Sequence, residues 1–368
     1  MNLPNSHYEN LRESLVSKLL GAKVVINVVT MPDFFLDHSL VCNYDARSLT
    51  RRILSIASRS GGEIPDIPQS LEVGGNAAIC TLALATLGAA AHPIMKTSQL
   101  GSALMQYFYE PVGVDLSRIK VTGVLSPMTI LELKYGKNPV NIMLGDVSSV
   151  GTFGFEDLDS EDLDVIAKAD CVCVFNWLYN RQGTDLAEKV FAYCRKNSRA
   201  YTFFDPSDPR PRIEELPSLA EKVLKNGLVD VLSVNENEAM AFAGLYERKM
   251  KRRTRRQNVT LEAGKVISAN TGVKVYLHTL DYSASIKEDE VVLVPTFDVT
   301  ARRGTGAGDC WNAGSMVGDA LSITEEEKLL FANGVAAHYI SNPKRTHSSV
   351  KEVATFMRDP TIKLKGLA

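Results

Sequence analysis

The densest chemistry in the chain lies in eight consecutive residues, Arg302-Arg303-Gly304-Thr305-Gly306-Ala307-Gly308-Asp309. Three glycines within five positions let a backbone turn tightly and approach a ligand closely. A helical pattern follows, with Ala313, Met316, Val317, Ala320 and Leu321 on one face. The loop therefore opens a helix, and the unpaired amides and dipole at a helix N-terminus form an anion site suited to phosphate. Asp309 falls in the first turn, where a carboxylate either steadies the dipole or serves as a base beside a bound phosphoryl group. No Gly-Lys-Ser/Thr follows, so the loop is not a Walker A motif, and the spacing does not fit GxGxxG.

Other polar residues sit where apolar runs end. Gly74-Gly75-Asn76 heads an apolar helical stretch that reaches Leu87, a pattern that by itself marks a turn. Asp37-His38 closes an extended segment; a carboxylate there accepts two hydrogen bonds from a diol, and Asp33 is its nearest rival. Asn235-Glu236-Asn237-Glu238 follows the apolar run 229–234, where Asn235 suits a helix N-cap. Asp205-Pro206 and Thr279-Leu280-Asp281 end two further runs, and open α/β sheets bind ligands beyond such strand ends. Arg303, six residues before Asp309, offers a bidentate guanidinium to donor phosphates or to an anionic substrate.

The elements that must hold these residues alternate. Apolar runs at 22–29, 171–175, 201–204, 229–234, 273–278 and 291–294 read as buried strands. Between them lie helical patterns such as 76–87 and 185–194, which predicts a mostly parallel sheet covered on both faces. Two regions break the alternation. Residues 31–44 are extended, and 112–146 read as strands joined by turns, including Gly136-Lys137-Asn138, so together they are expected to form a small β-lid. A third irregular segment, 248–256, carries seven Lys or Arg in nine residues, a solvated loop or an anion-binding surface.

Composition sets the outer limits. The 368 residues carry 41 Lys+Arg against 43 Asp+Glu, and a net charge of -2 supplies no global field for nucleic acid or anionic lipid. The first 20 residues lack the apolar core of a secretory signal, and no window approaches 18 uninterrupted apolar residues, so no membrane span and a cytoplasmic location are expected. Six cysteines scattered mostly through apolar runs suit buried reduced thiols. Cys171 and Cys173, with one residue between them, are expected on opposite strand faces, which argues against a zinc knuckle.

The run 304–314, GTGAGDCWNAG, resembles the C-terminal signature of the ribokinase-like, or PfkB, family of carbohydrate and nucleoside kinases, and Gly74-Gly75-Asn76 is similar to that family's N-terminal motif. The resemblance implies a ribokinase-like α/β fold over residues 22–345 with inserted lid segments, an N-terminal extension (1–21) and a C-terminal tail (346–368). It implies Asp309 as catalytic base, with Gly306, Ala307 and Gly308 stabilising the transferring group. Asp37, Gly74, Gly75 and Asn76 would bind the substrate, with Arg303 as this chain's own addition. Asn235, Thr279, Asp281, Thr305 and Asn333 would contact ATP, and Glu238 would hold Mg²⁺ through water. The family's usual Asp-Thr pair is Arg303-Gly304 here, and Asp281 and Ser283 replace turn glycines.

The expected activity is Mg-dependent transfer of the ATP γ-phosphate to an alcohol of a sugar or sugar-like substrate. A nucleoside acceptor, with a base slot drawn from Phe34, Phe35, Tyr107 and Phe108, is the alternative within the same fold. A binding regulator without turnover is the alternative outside enzymology. A homodimer through the lid is expected by resemblance.

Overall fold

The structure is a computed structural model and describes residues 5–247, 256–303, 305–344 and 346–366. The basic run 248–256 lies outside these except for its last residue, as does Gly304. In chain order, α1 (Asn5–Leu20) leads to β1 (Asn27–Met31), β2 (Phe35–Asp45), α2 (Ala46–Ala57), β3 (Gln69–Gly74), α3 (Asn76–Thr86) and β4 (Ala90–Pro93). The short β5 (Met95–Lys96), α4 (Gln99–Tyr109) and β6 (Ile119–Lys120) precede a hairpin of β7 (Ser126–Tyr135) and β8 (Asn138–Gly145). Next come α5 (Ser160–Lys168), β9 (Cys171–Phe175), α6 (Gly183–Asn197), β10 (Tyr201–Asp205), α7 (Leu216–Leu219), β11 (Val231–Val234), α8 (Glu236–Ala243) and α9 (Arg256–Thr271). The chain finishes with β12 (Lys274–His278), β13 (Tyr282–Lys287), β14 (Glu290–Pro295), β15 (Phe297–Asp298), α10 (Ala307–Ala320), α11 (Glu325–Ser341), α12 (Val350–Arg358) and β16 (Lys363–Leu364).

The main sheet has eight strands in the order β14-β13-β12-β11-β10-β9-β1-β4. Its strands from β4 to β12 run parallel, and β13 and β14 turn back antiparallel at one edge. Parallel strands bury both faces, and the alternation along β9 shows it: Cys171, Cys173 and Phe175 enter the core formed with α3, α10 and α11, while Val172 and Val174 enter the core on the opposite face. The expectation for the two cysteines is therefore corrected. Side chains two positions apart share a strand face, and the sulfurs of Cys171 and Cys173 lie 3.4 Å apart. All six cysteines are buried and unpaired by disulfides.

The lid is a four-stranded sheet in the order β3-β2-β7-β8, with the 136–138 turn where the sequence places it. Its composition differs from expectation in two respects. Strand β3 was hidden in a segment with few apolar residues, and residues 112–125 pass outside the lid sheet, where β6 pairs with β5. Residues 22–26, read as the start of a strand, stay outside the sheet, since pairing of β1 begins at Asn27.

Both termini pack into the same body. Tyr8, Leu15, Val16 and Leu19 of α1 and Val353, Ala354 and Met357 of α12 belong to the core that holds α10 and α11. The Arg12 guanidinium donates to Ile362 O at 2.9 Å, and Lys18 pairs with Glu327 of α11 at 2.6 Å. Among the described residues no helix is long and apolar enough to cross a membrane.

Candidate active site

A cleft of about 450 Å³ opens beyond the carboxyl ends of β10, β11 and β12. Asn76, Asp205, Asn235, Glu238, Thr279, Asn333 and the run Gly306, Ala307, Gly308, Asp309 all line it. Residues far apart in sequence thus converge where an open α/β sheet binds ligands.

Each is positioned by local chemistry. Gly306 is the N-cap of α10 with φ +83°, and a Cβ there would lie 2.8 Å from the Tyr339 hydroxyl, so only glycine fits. No side chain caps this helix, which leaves the amides of its first turn open to the cleft. Asp309 is buried in that turn, and its Oδ1 accepts from Asn76 Nδ2 at 2.8 Å. Ser207 Oγ lies 3.1 Å from Asn76 Oδ1 and donates to it, completing a chain from β10's exit to the helix.

The Gly74-Gly75 pair makes room for two carboxylates. A Cβ at Gly74 would fall 1.9 Å from Asp37 Oδ1, and one at Gly75, where φ is +94°, would fall 2.7 Å from Asp33 Oδ2. The two acids divide the work. Asp33 is fully engaged, accepting from the amides of Asn76 and Ala77 and from Asn176 Nδ2, and so anchors the start of α3. Asp37 lies in β2 beside Glu72 of β3, and no described protein donor bonds its carboxylate. Burial first, then Glu72 and Asp33, push its pKa up to about 7.

The electrostatics of the cleft are those of crowded acids. Asp309 is raised well above the usual carboxylate range by burial and by Asp205, with Asp33 and Asp37 adding to it and the Asn76 bond opposing. Burial lifts Asp205 to about 6 against the bonds from Ser207 N–H and Asn312 Nδ2. Glu238 is raised by burial and then by Asp205. It also forms a capping box with Asn235: Asn235 Oδ1 accepts from the Glu238 amide at 3.1 Å, and Glu238 accepts from Asn235 N–H at 2.8 Å and from Asn235 Nδ2 at 2.7 Å. The segment is the helix cap that its sequence suits, and the same cap fixes Glu238 in the cleft wall.

Not every expected residue reaches the cleft: of the expected substrate-binding residues only Asn76 lines it, while Asp37, Gly74, Gly75 and Arg303 do not. Asp281 is exposed at the β12-β13 turn and pairs with Lys365 at 3.4 Å. Thr305 precedes the helix without lining the cleft. The Asn333 amide is committed to structure, accepting from Trp311 Nε1 and donating to Pro295 O, though its edge contributes to the wall. Arg303 faces elsewhere. Its guanidinium stacks on Tyr339 at 4.2 Å and borders a separate space of about 600 Å³ shared with Asn43, Tyr44 and Lys134 of the lid. The aromatic slot is corrected too: Phe34 and Phe35 are buried in cores, Phe108 packs half-buried against one of those cores, Tyr107 projects into solvent, and none of the four lines the cleft.

The apolar part of the cleft comes instead from Phe297, Val299, Ala336, Ala337 and Ile340, which no motif marked. His278 and Lys365 were missed as well. Lys365 arrives through the pairing of β16 with β15 and donates to Leu280 O at 2.6 Å. A histidine ending an apolar strand at a ligand-binding edge was a readable signal, whereas nothing in the tail announced Lys365.

The sequence profile described as pfkB family carbohydrate kinase matches residues 62–352. No curated protein matches the sequence at a significant level. Solved structures with the same fold include a Thermotoga maritima ribokinase, 18% identical with a TM-score of 0.67 over 92% of this chain and 100% of that one. A Sinorhizobium meliloti adenosine kinase is 18% identical, with a TM-score of 0.69 over 91% and 99% of the two chains. An Arabidopsis thaliana ribokinase complexed with ribose and ATP is 15% identical, with a TM-score of 0.68 over 92% and 100%.

Proposed function

The chain belongs to the pfkB family of carbohydrate kinases, and from that premise we propose that it transfers the γ-phosphoryl group of ATP to an alcohol of a sugar or sugar-like substrate. The observation that carries the reading is the 2.8 Å bond from Asn76 to Asp309, which brings the N-terminal glycine motif and the C-terminal phosphate loop to one point. Asp37, with its open carboxylate, fixes the acceptor diol beside that point. Asp309, made more basic by burial, takes the proton of the attacking hydroxyl. The first-turn amides of α10 stabilise charge on the transferring group.

Asp205 raises the pKa values of Glu238 and of Asp309, and Asp309 adds to that of Glu238, a crowding of acids that favours a nearby cation. In this reading Glu238 and Asn235, fixed together in the cleft wall by their capping box, would hold Mg²⁺ through water. When bound, the ion supplies charge neutralisation at the phosphates. The lid exposes Leu71, Ile142 and Leu144, and the proposal extends to a homodimer through that surface.

The test is nucleotide turnover with Mg-ATP against a panel of sugars, sugar phosphates, polyols and nucleosides. Acceptor-dependent turnover with a sugar or polyol supports the reading. Turnover confined to nucleosides would move the substrate class, and ligand binding without any turnover would favour a regulator.

A further inference from the structure

His278 is a polar side chain of the cleft wall that the proposed reaction leaves without a role. It ends β12 and packs beneath the first turn of α10, its ring 5.3 Å from that of Trp311 and tilted by 34°. A Cβ at Gly308 would lie 3.1 Å from its Cε1 and within 3.7–3.8 Å of both ring nitrogens, so the missing side chain at 308 leaves the imidazole against the backbone of the anion site. Among the described residues Nε2 is sealed from solvent without a partner and Nδ1 hydrogen-bonds no group. A sealed nitrogen is better left as a bare lone pair than as an unsatisfied N–H, which puts the proton on Nδ1.

We infer that His278 is a second phosphate-binding group beside the α10 amides, donating Nδ1–H as a neutral imidazole to an oxygen of the phosphate held there. The inference rests on the reading of the cleft as a phosphate site. Two features keep the ring neutral: burial lowers its pKa to about 4, and the positive end of α10 opposes a second positive charge. Asp205 on β10, Glu236 and Glu238 on α8, Asp309 on α10 and Lys365 on the tail line the same cleft, and none of them bonds the ring. A neutral donor serves a phosphate without drawing the neighbouring carboxylates into ion pairs.

The test is calorimetric binding of ADP, inorganic phosphate and adenosine to the full chain and to His278→Asn, His278→Gln and His278→Leu, each first checked for its melting temperature. An asparagine amide mimics Nδ1 and a glutamine amide mimics Nε2. Leu and Gln are expected to weaken ADP by about tenfold or more, with adenosine unchanged and Asn recovering most of the loss. Titrations at pH 7 in two buffers of different ionisation heat should show the same proton exchange in wild type and His278→Leu. Undiminished ADP binding by the Leu variant, restoration by Gln rather than Asn, or proton uptake lost with the histidine would overturn the inference. A wild-type protein that binds neither ADP nor phosphate would overturn the phosphate-site reading as well, which separates the two failures.

Discussion

As the proposed base Asp309 must be ionised to take a proton, yet it is buried among Asp33, Asp37 and Asp205, which oppose its ionisation. A carboxyl whose folded pKa is raised contributes stability that is fully present below its unfolded value and is lost as pH rises through the folded one. Asp309→Asn is therefore expected to raise the melting temperature of the ligand-free protein at pH 8, with the gain shrinking towards pH 4, as differential scanning calorimetry can read. Asp37 gives a separate window. Lifted to about 7, it loses its charge as pH falls from 8 to 6, so the acceptor KM should rise over that range while Asp37→Asn shows a high, flat KM. Asp309 and Asn76 were legible because glycines beside them announced a backbone that must approach something. The resemblance named Asp37 with Asp33 as its nearest rival, and what the sequence did not show is how the two differ: both are buried acids near one motif, and Asp33 is consumed by the start of α3.

At the level of elements, the position of β3 explains why the lid was read incompletely. Its residues, Gln69–Gly74, alternate half-buried and exposed along an edge, so they lack the apolar run that marks a buried strand. Its last residue nevertheless lies against Asp37, the proposed acceptor-binding carboxylate. Gly74→Ala would place a methyl 1.9 Å from Asp37 Oδ1 and displace that carboxylate. Steady-state kinetics should show an acceptor KM raised by about tenfold or more with the ATP KM nearly unchanged. A parallel change in both constants would mean that the substitution disturbs α3 and, through Asn76, the phosphate loop. The buried strands β9, β10 and β12 were visible as apolar runs, since a sheet covered on both faces demands them. Strand ends and the β15-β16 pairing were not, because two-residue contacts leave no periodicity.

Across the whole molecule, the terminal segments are structural. Leu15 is fully buried between the terminal helix and the core of α11 and α12, so Leu15→Ala should cost about 2–5 kcal/mol in denaturant unfolding despite lying outside the matched family region. The sequence showed no such attachment, because α1 is polar on average and its buried residues, Tyr8, Leu15, Val16 and Leu19, are few. The lid surface makes the other molecular prediction: Leu144→Asp should reduce the molar mass measured by light scattering from that of a dimer to that of a monomer. Both the sheet and the lid serve to bring Asn76 against Asp309, and the most direct measurement tests that point. Acceptor-dependent phosphoryl transfer from Mg-ATP should fall by at least ~10²-fold in Asp309→Asn while calorimetric ADP affinity stays within a few-fold of wild type. Turnover that survives the substitution would contradict Asp309 as the base and, with it, the proposed account of the cleft.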